Sequence, residues 1–326
     1  MRKNVLYKTK HGSFYLGDSI ELIEKKFIKK YKEKVNLIIT SPPFPLNQKK
    51  RYGNYKGEEY KEWFISLAPL FSELLAPNGS IVIEIGNAWE PGLPIQSTLH
   101  LESLIGFVKH PEAGLNLCQE LICYNPSRLP SPAQWVTVER SRLTDSYTHV
   151  WWLSKGSNPK ADNRNVLRPY SKSMQELLRK KKYNAGRRPS HHSISEKSFL
   201  INHGGSIMPN LIELDQMDLN GKNRLPENVL RFSNTNSNDS FLRTCRKNAI
   251  TPHPARMNPG LISFFIDFLT EPGDLILDPF AGSNTTGFVS ELMDRNWIAI
   301  EVKEEYGHQA KLRFEAEEIP FKINAK

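Results

Sequence analysis

Ser41, Pro42, Pro43 and Phe44 stand directly after the apolar run VNLIIT, in the stretch TSPPFPLNQKKRYGN, which continues into the cations Lys49, Lys50 and Arg51. A serine hydroxyl, backbone carbonyls held by two fixed φ angles and an aromatic face can accept hydrogen bonds without ionising and can stack on a flat ring. The plainer reading of the same residues is a strand stop and a charged turn, because neither proline can donate to a sheet ladder. A second stretch, DPFAGSNTTG (278–287), lies where a strand pattern turns into a helix pattern. Such a turn suits a ligand, since small residues let the backbone approach it and the helix start offers unpaired N–H groups. Glu301 follows Gly282 by 19 residues, at the end of the next strand pattern, where an acid can accept from ribose hydroxyls. Loop and acid together suggest an adenosine-containing cofactor. The glycines fit neither GxGxxG nor a phosphate-binding GxxxxGK[ST] loop.

The elements that must position these residues alternate. SFYLGD reads as a strand, SIELIEKKFIKKYKEK as a helix, VNLIIT as a strand, YKEWFISLAPLFSELLAPNG as a helix and SIVIEIG as a strand. This grammar predicts a parallel sheet with helices on its faces. NLCQELICY and YTHVWWLSK follow as strands that extend the sheet as a hairpin. After an irregular stretch the pattern resumes: MNPGLISFFIDFLTEPGD helical, LILDPF a strand, TTGFVSELMDR helical and NWIAIEV a strand. One sheet assembled from two sequence-distant halves is expected.

The formal charge is +9, and residues 156–250 hold all of the excess, with 17 Lys plus Arg against 8 Asp plus Glu. A basic segment in an otherwise neutral chain is the footprint of a polyanion binder, although a run such as RKKKYNAGRR (179–188) also suits a solvated surface. The Asn/Ser cluster SNTNSNDS (233–240) and the weak periodicity suggest an irregular inserted domain or a partly mobile one. Cys118, Cys123 and Cys245 form no CxxC pair, so neither zinc nor a disulfide framework is expected. The residues following Met1 hold no apolar segment, and LISFFIDFL is short and broken by Asp267. Neither a signal peptide nor a membrane span is expected, and a cytoplasmic location is.

With TSPPF at one strand end and DPFAGSNTTG at another, the chain resembles the amino-group DNA methyltransferases. It looks like the subgroup in which the catalytic motif precedes the target-recognition region and the cofactor loop comes last. LGDSIEL (16–22), YTHVWWLSK and HPARMNPGLISFF (253–265) resemble further segments of that group, so the likeness spans nearly the whole chain. It implies an α/β, class I (Rossmann-like) methyltransferase sheet with permuted motif order, S-adenosylmethionine as cofactor and double-stranded DNA as partner. The implied division is 1–155 for the catalytic half, 156–250 for target recognition and 251–326 for the cofactor-binding half. A separately acting restriction endonuclease is the implied companion, and no membrane is involved.

Serine in the first place of the tetrad is typical of enzymes that make N4-methylcytosine, whereas Asp or Asn there is typical of adenine N6 methylation. The cytosine amino nitrogen is a poor nucleophile because its lone pair is delocalised into the ring. Ser41 Oγ and the Pro42 carbonyl can each accept one of its N–H bonds, Pro43 helps to fix that carbonyl, and Phe44 can stack on the flipped base. The resemblance implies Asp278, Phe280 and Gly282 at the methionine end of the cofactor and Ser283, Asn284 and Thr285 along the loop. It places Glu301 at the ribose and Asp18 nearer the adenine or the amine; a helix cap is the alternative for Asp18. Lys49, Lys50, Arg51, Arg187 and Arg188 are expected to meet DNA, while no residue is assigned to a metal. Asn284 stands where glycine is common, which calls for positive φ, and Asn36 stands where Asp is frequent. Rival readings are an adenine N6 methyltransferase, a non-catalytic DNA-binding regulator on the same scaffold, and a protein glutamine methyltransferase, which the motif order and the basic segment disfavour.

Overall fold

A computed structural model describes residues 4–44, 55–125, 128–183, 186–195, 199–213, 240–253, 255–316 and 322–323. In chain order its strands are β1 (Val5–Lys8), β2 (Gly12–Leu16), β3 (Val35–Thr40), β4 (Leu75–Gly86), β5 (Asn116–Tyr124), β6 (Tyr147–Ser154), β7 (Gly186–Arg187), β8 (Ser193–Ile194), β9 (Leu211–Glu213), β10 (Leu275–Asp278), β11 (Asn296–Glu301) and β12 (Lys322–Ile323). Ten of them form one sheet in the order β12-β1-β2-β11-β10-β3-β4-β6-β5-β9, and β7 and β8 make a separate hairpin. The five strands β2, β11, β10, β3 and β4 are mutually parallel. β6 pairs antiparallel with β4 and β5 antiparallel with β6, which is the expected hairpin extension.

Side-chain alternation along the central strands builds a core on each face. Leu37, Ile39 and Val82 join the cluster under the helices Pro259–Leu269, Thr285–Leu292 and Glu304–Glu315. Ile38, Ile81 and Ile83 join the cluster under Gly57–Leu74 and Leu99–Val108. Trp151 and Trp152, adjacent on β6, split between the two faces in the same way. The first helical segment is not uniform, since a π turn, Ile23–Phe27, separates Ser19–Leu22 from Ile28–Tyr31.

β3 lies between β10 and β4. The helix that follows β3 returns to β4 on one side, whereas the helix that follows β10 returns to β11 on the other. The carboxyl ends of β3 and β10 therefore form the point where strand order reverses, at which ligands bind in open α/β sheets. Ser41 follows one end and Asp278 closes the other. Asn36 ties the two strands at their opposite ends, its Oδ1 accepting from the Leu275 amide at 2.9 Å.

The described parts of residues 156–250 follow the sheet more closely than their composition suggests. β9 adds to the edge strand β5, the 3-10 turn Asn163–Val166 buries Val166, and Phe241 and Cys245 of the helix Ser240–Lys247 pack against Leu312.

The register of β2 on β11 carries Glu301 to the cavity and depends on Gly12. A Cβ on Gly12 would stand 2.0 Å from the ring of Trp297, a buried side chain directly across the pair. Gly12→Ala is expected to lower unfolding free energy by about 2–3 kcal/mol, as overpacking does, which urea denaturation would read.

Candidate active site

The reversal point opens into a cavity of about 1020 Å³. One wall is the turn after β3, with Ser41, Pro42, Pro43 and Phe44 all facing the space. Ser41 is half-buried and its hydroxyl has no partner among the described residues, while Pro42 is buried. The Phe44 ring lies against the end of β4, where Gly86 leaves it room: a Cβ on Gly86 would come within 2.7 Å of the ring.

The facing wall is the loop from β10 to its helix. Asp278 is buried, and Thr40 Oγ1 and Thr286 Oγ1 each donate to it at 2.7 Å, with the Phe280 amide at 3.1 Å. Thr40 is the residue before Ser41, so one hydrogen bond joins the two motifs across 238 residues of chain. Burial pushes the Asp278 carboxyl up to about 6, and the three donors only partly offset that cost. Gly282 has φ +50 and its amide donates to Glu301 Oε2 at 2.9 Å, while Lys303 N donates to Oε1 at 2.8 Å. Burial likewise raises the Glu301 carboxyl, and neither it nor Asp278 has a cation beside it among the described residues.

Asp18, Phe280, Gly282, Ser283, Thr285 and Glu301 all line this one cavity with Asp278. The Phe280 ring sits 5.5 Å from that of Trp63. Asp18 also caps the helix that follows it, Oδ1 accepting from Glu21 N at 3.0 Å, which is the alternative reading of that residue. Asn284 does adopt the left-handed region, at φ 53. Its side chain is nevertheless spent on the scaffold, accepting from Gly287 N at 3.0 Å and donating to the Tyr7 hydroxyl at 2.9 Å. With that side chain buried away from the cavity, Asn284 acts as a cap and not as a side-chain ligand. Ser283 is held from behind by Arg313, which donates to its carbonyl and its Oγ at 3.1 Å each.

Lys49, Lys50 and Arg51 lie outside the described residues. Arg187 is exposed on β7 and contacts the His191 ring at 2.8 Å, and Arg188 is half-buried against Tyr183; neither lines the cavity. Glu84 and Arg128 are among the cavity residues that escaped the motif reading. Glu84 of β4 is buried and accepts from Thr148 Oγ1 at 3.0 Å, burial raising its carboxyl, while Arg128 donates to the Tyr147 carbonyl at 3.0 Å. The one available signal was a lone carboxylate within the apolar strand SIVIEIG.

A family model described as DNA methylase matches residues 35–312. The chain belongs to the N6/N4 DNA methylase family. It is 41% identical over 314 residues to the type II methyltransferase M.PvuII of Proteus hauseri, an alignment that covers 96% of this chain and 86% of that protein. Superposed on the solved PvuII DNA methyltransferase (cytosine-N4-specific), it gives a TM-score of 0.72 with 35% identity, over 98% of this chain and 93% of the other. The M1.HpyAVI–SAM complex matches at TM-score 0.50 and 20% identity over 93% of this chain and 98% of that one, a likeness of fold alone. In this DNA methylase the Ser41–Phe44 turn and the loop from Asp278 thus meet at one strand reversal, although the chain separates them by more than 200 residues. No helix among the described residues is long and apolar enough to cross a membrane.

Proposed function

We propose that this methylase transfers a methyl group from S-adenosylmethionine to the N4 amino group of a cytosine flipped out of a specific duplex DNA site. The observation that carries this reading is that the Ser41–Phe44 wall and the Asp278–Glu301 wall face each other across one cavity. A serine at the head of the tetrad and the 41% identity to M.PvuII, whose solved counterpart is described as cytosine-N4-specific, support the choice of base.

S-adenosylmethionine, when bound, supplies an electrophilic methyl group on a sulfonium. Its positive centres suit the cavity, where Asp278 and Glu301 are buried with no neighbouring cation among the described residues. Ser41 Oγ and the Pro42 carbonyl accept the two N–H bonds of the target amine. As positive charge develops on the nitrogen these acceptors bind it more strongly, so positioning and electrostatics supply the acceleration without a covalent enzyme intermediate. Phe44, backed by Gly86, offers its face to the base.

Residues 1–155 and 251–326 supply the two halves of the site, and 156–250 reads the DNA sequence, Arg187 and Arg188 contributing positive charge. The protein acts in the cytoplasm as the modification partner of a separate restriction endonuclease. Tritiated S-adenosylmethionine with unmodified genomic DNA, followed by nucleoside mass spectrometry, should give label in N4-methylcytosine. Label in N6-methyladenine would overturn the choice of base, and unlabelled DNA would favour a regulator that only binds.

A pH effect follows from Asp278. Its carboxyl, raised to about 6 by burial, is neutral below that pH and charged above it. Affinity for the cationic cofactor is expected to level off above this value and to fall by about tenfold per pH unit below it, the limit for one proton. Titration calorimetry from pH 5 to 8 would show the break, and Asp278→Asn should abolish it.

A further inference from the structure

Arg313 is buried behind the loop that follows β10 and does not line the cavity. Its Nε donates to the Ser283 carbonyl and a terminal nitrogen to Ser283 Oγ, both at 3.1 Å. Backbone and side chain of one cavity residue therefore hang on one guanidinium. A planar group that spends its edge on hydrogen bonds leaves its faces to be covered by rings. The guanidinium carbon stands 5.8 Å from the ring centre of Phe288, in the helix that leaves the loop, and 4.3 Å from that of Phe241. Both rings are buried, where a cation over an aromatic face is held more firmly than at an exposed site.

Phe241 comes from another part of the chain. It belongs to the helix Ser240–Lys247, at the end of the basic segment, which buries Phe241 and Cys245 against Leu312 and exposes Arg243, Arg246 and Lys247. The guanidinium carbon of Arg256, a cavity residue, lies 5.9 Å from the same Phe241 ring. One ring thus stands between a cation of the cavity wall and the cation that holds the cofactor loop. Elements that bury few side chains are the first to open locally, so the docking of this helix is open to bias by a ligand.

We infer that Phe241 and Arg313 are positioning residues for the cofactor and tie its affinity to duplex binding. A duplex drawn to the exposed cations of Ser240–Lys247 holds that helix docked. The docked ring fixes the Arg313 guanidinium, and the guanidinium fixes Ser283. By linkage a filled cofactor site favours the docked helix, and hence the duplex, by the same factor. The inference rests on the reading that this cavity takes S-adenosylmethionine and serves duplex DNA, and it is independent of which base is modified.

The test is titration calorimetry with S-adenosylhomocysteine, which fills the site without transferring a methyl group, alone and with a duplex carrying the site of modification identified by sequencing. For the wild-type protein the duplex should tighten this binding about tenfold, and fluorescence anisotropy should show the duplex tightened equally. Phe241→Leu keeps an apolar side chain but removes the aromatic face. Its thermal melt should stay close to wild type, its affinity without DNA should fall about threefold, and its ratio with and without duplex should fall towards one. Arg313→Met removes both donors and should weaken binding about tenfold. Adding Phe241→Leu to it should cost nothing more, because the two residues act in series. A wild-type ratio near one, a Phe241→Leu protein with the wild-type ratio, or losses that add in the double variant would each overturn the inference. Should Arg313→Met fail to fold, the Phe241→Leu ratio decides alone. A wild-type protein that bound neither S-adenosylhomocysteine nor the duplex would instead overturn the reading of the cavity beneath it.

Discussion

Ser41→Ala should lower kcat by about 100-fold, the usual cost of removing one group aimed at developing charge, while leaving cofactor affinity within about twofold, since a lost transition-state contact does not weaken ground-state binding. The Ser41 hydroxyl has no partner among the described residues, so its removal breaks no hydrogen bond among them. What it removes is an acceptor beside the Pro42 carbonyl, and one N–H of the target amine is then left unheld as the nitrogen turns its lone pair toward the methyl group. Steady-state transfer of tritium to DNA and titration calorimetry with the cofactor would separate the two effects. A Ser41→Ala protein at full rate on bound DNA would remove the role assigned to that serine.

Asp278→Ala should act on stability and on the cofactor together. Its carboxylate receives Thr40, Thr286 and the Phe280 amide in a buried setting. Truncation leaves three donors without an acceptor, and the expected loss is about 2–4 kcal/mol, allowing the two hydroxyls to reorient. The same change frees Thr40 from the cofactor loop and loosens the strand end that carries Ser41. Asp278→Asn separates shape from charge: it should recover much of the stability and still bind S-adenosylmethionine at least tenfold more weakly, because a buried charge interaction is gone. Thermal melts read the first outcome and calorimetry the second. If the Asn variant bound the cofactor as well as wild type does, Asp278 would be a scaffold residue only.

Both predictions concern residues that stand at strand ends in the sequence pattern. The apolar runs VNLIIT, SIVIEIG, LILD and NWIAIE were legible as strands because each is long enough and bounded by turn chemistry, and the structure places β3, β4, β10 and β11 there. The positive φ of Asn284 was legible too, from a non-glycine residue at a turn that requires it. The short strands β1, β9 and β12 were not, because two to four residues carry no periodicity and their pairing is decided by the edges they meet. The helix Leu99–Val108 was hidden for another reason. It exposes Leu101 and Ile105 and buries His100 and Ser103 beside Leu104 and Phe107, so apolar and polar residues lie on both faces and the period is blurred.

The sequence by itself determined the chemistry on offer: two acceptors and a ring after β3, a small-residue loop with an acid one strand later, and a basic segment between the halves. Those are local properties of residue type and spacing. Only the tertiary structure decided that β3 and β10 are neighbours, that Thr40 reaches Asp278, and that the Asn284 side chain turns inward to cap its helix. It alone brought Glu84 and Arg128 to the wall beside Ser41. Adjacency across a sheet is set by strand order and register, which no window of sequence contains, and a lone carboxylate in an apolar strand acquires its meaning only from what lies across the cavity.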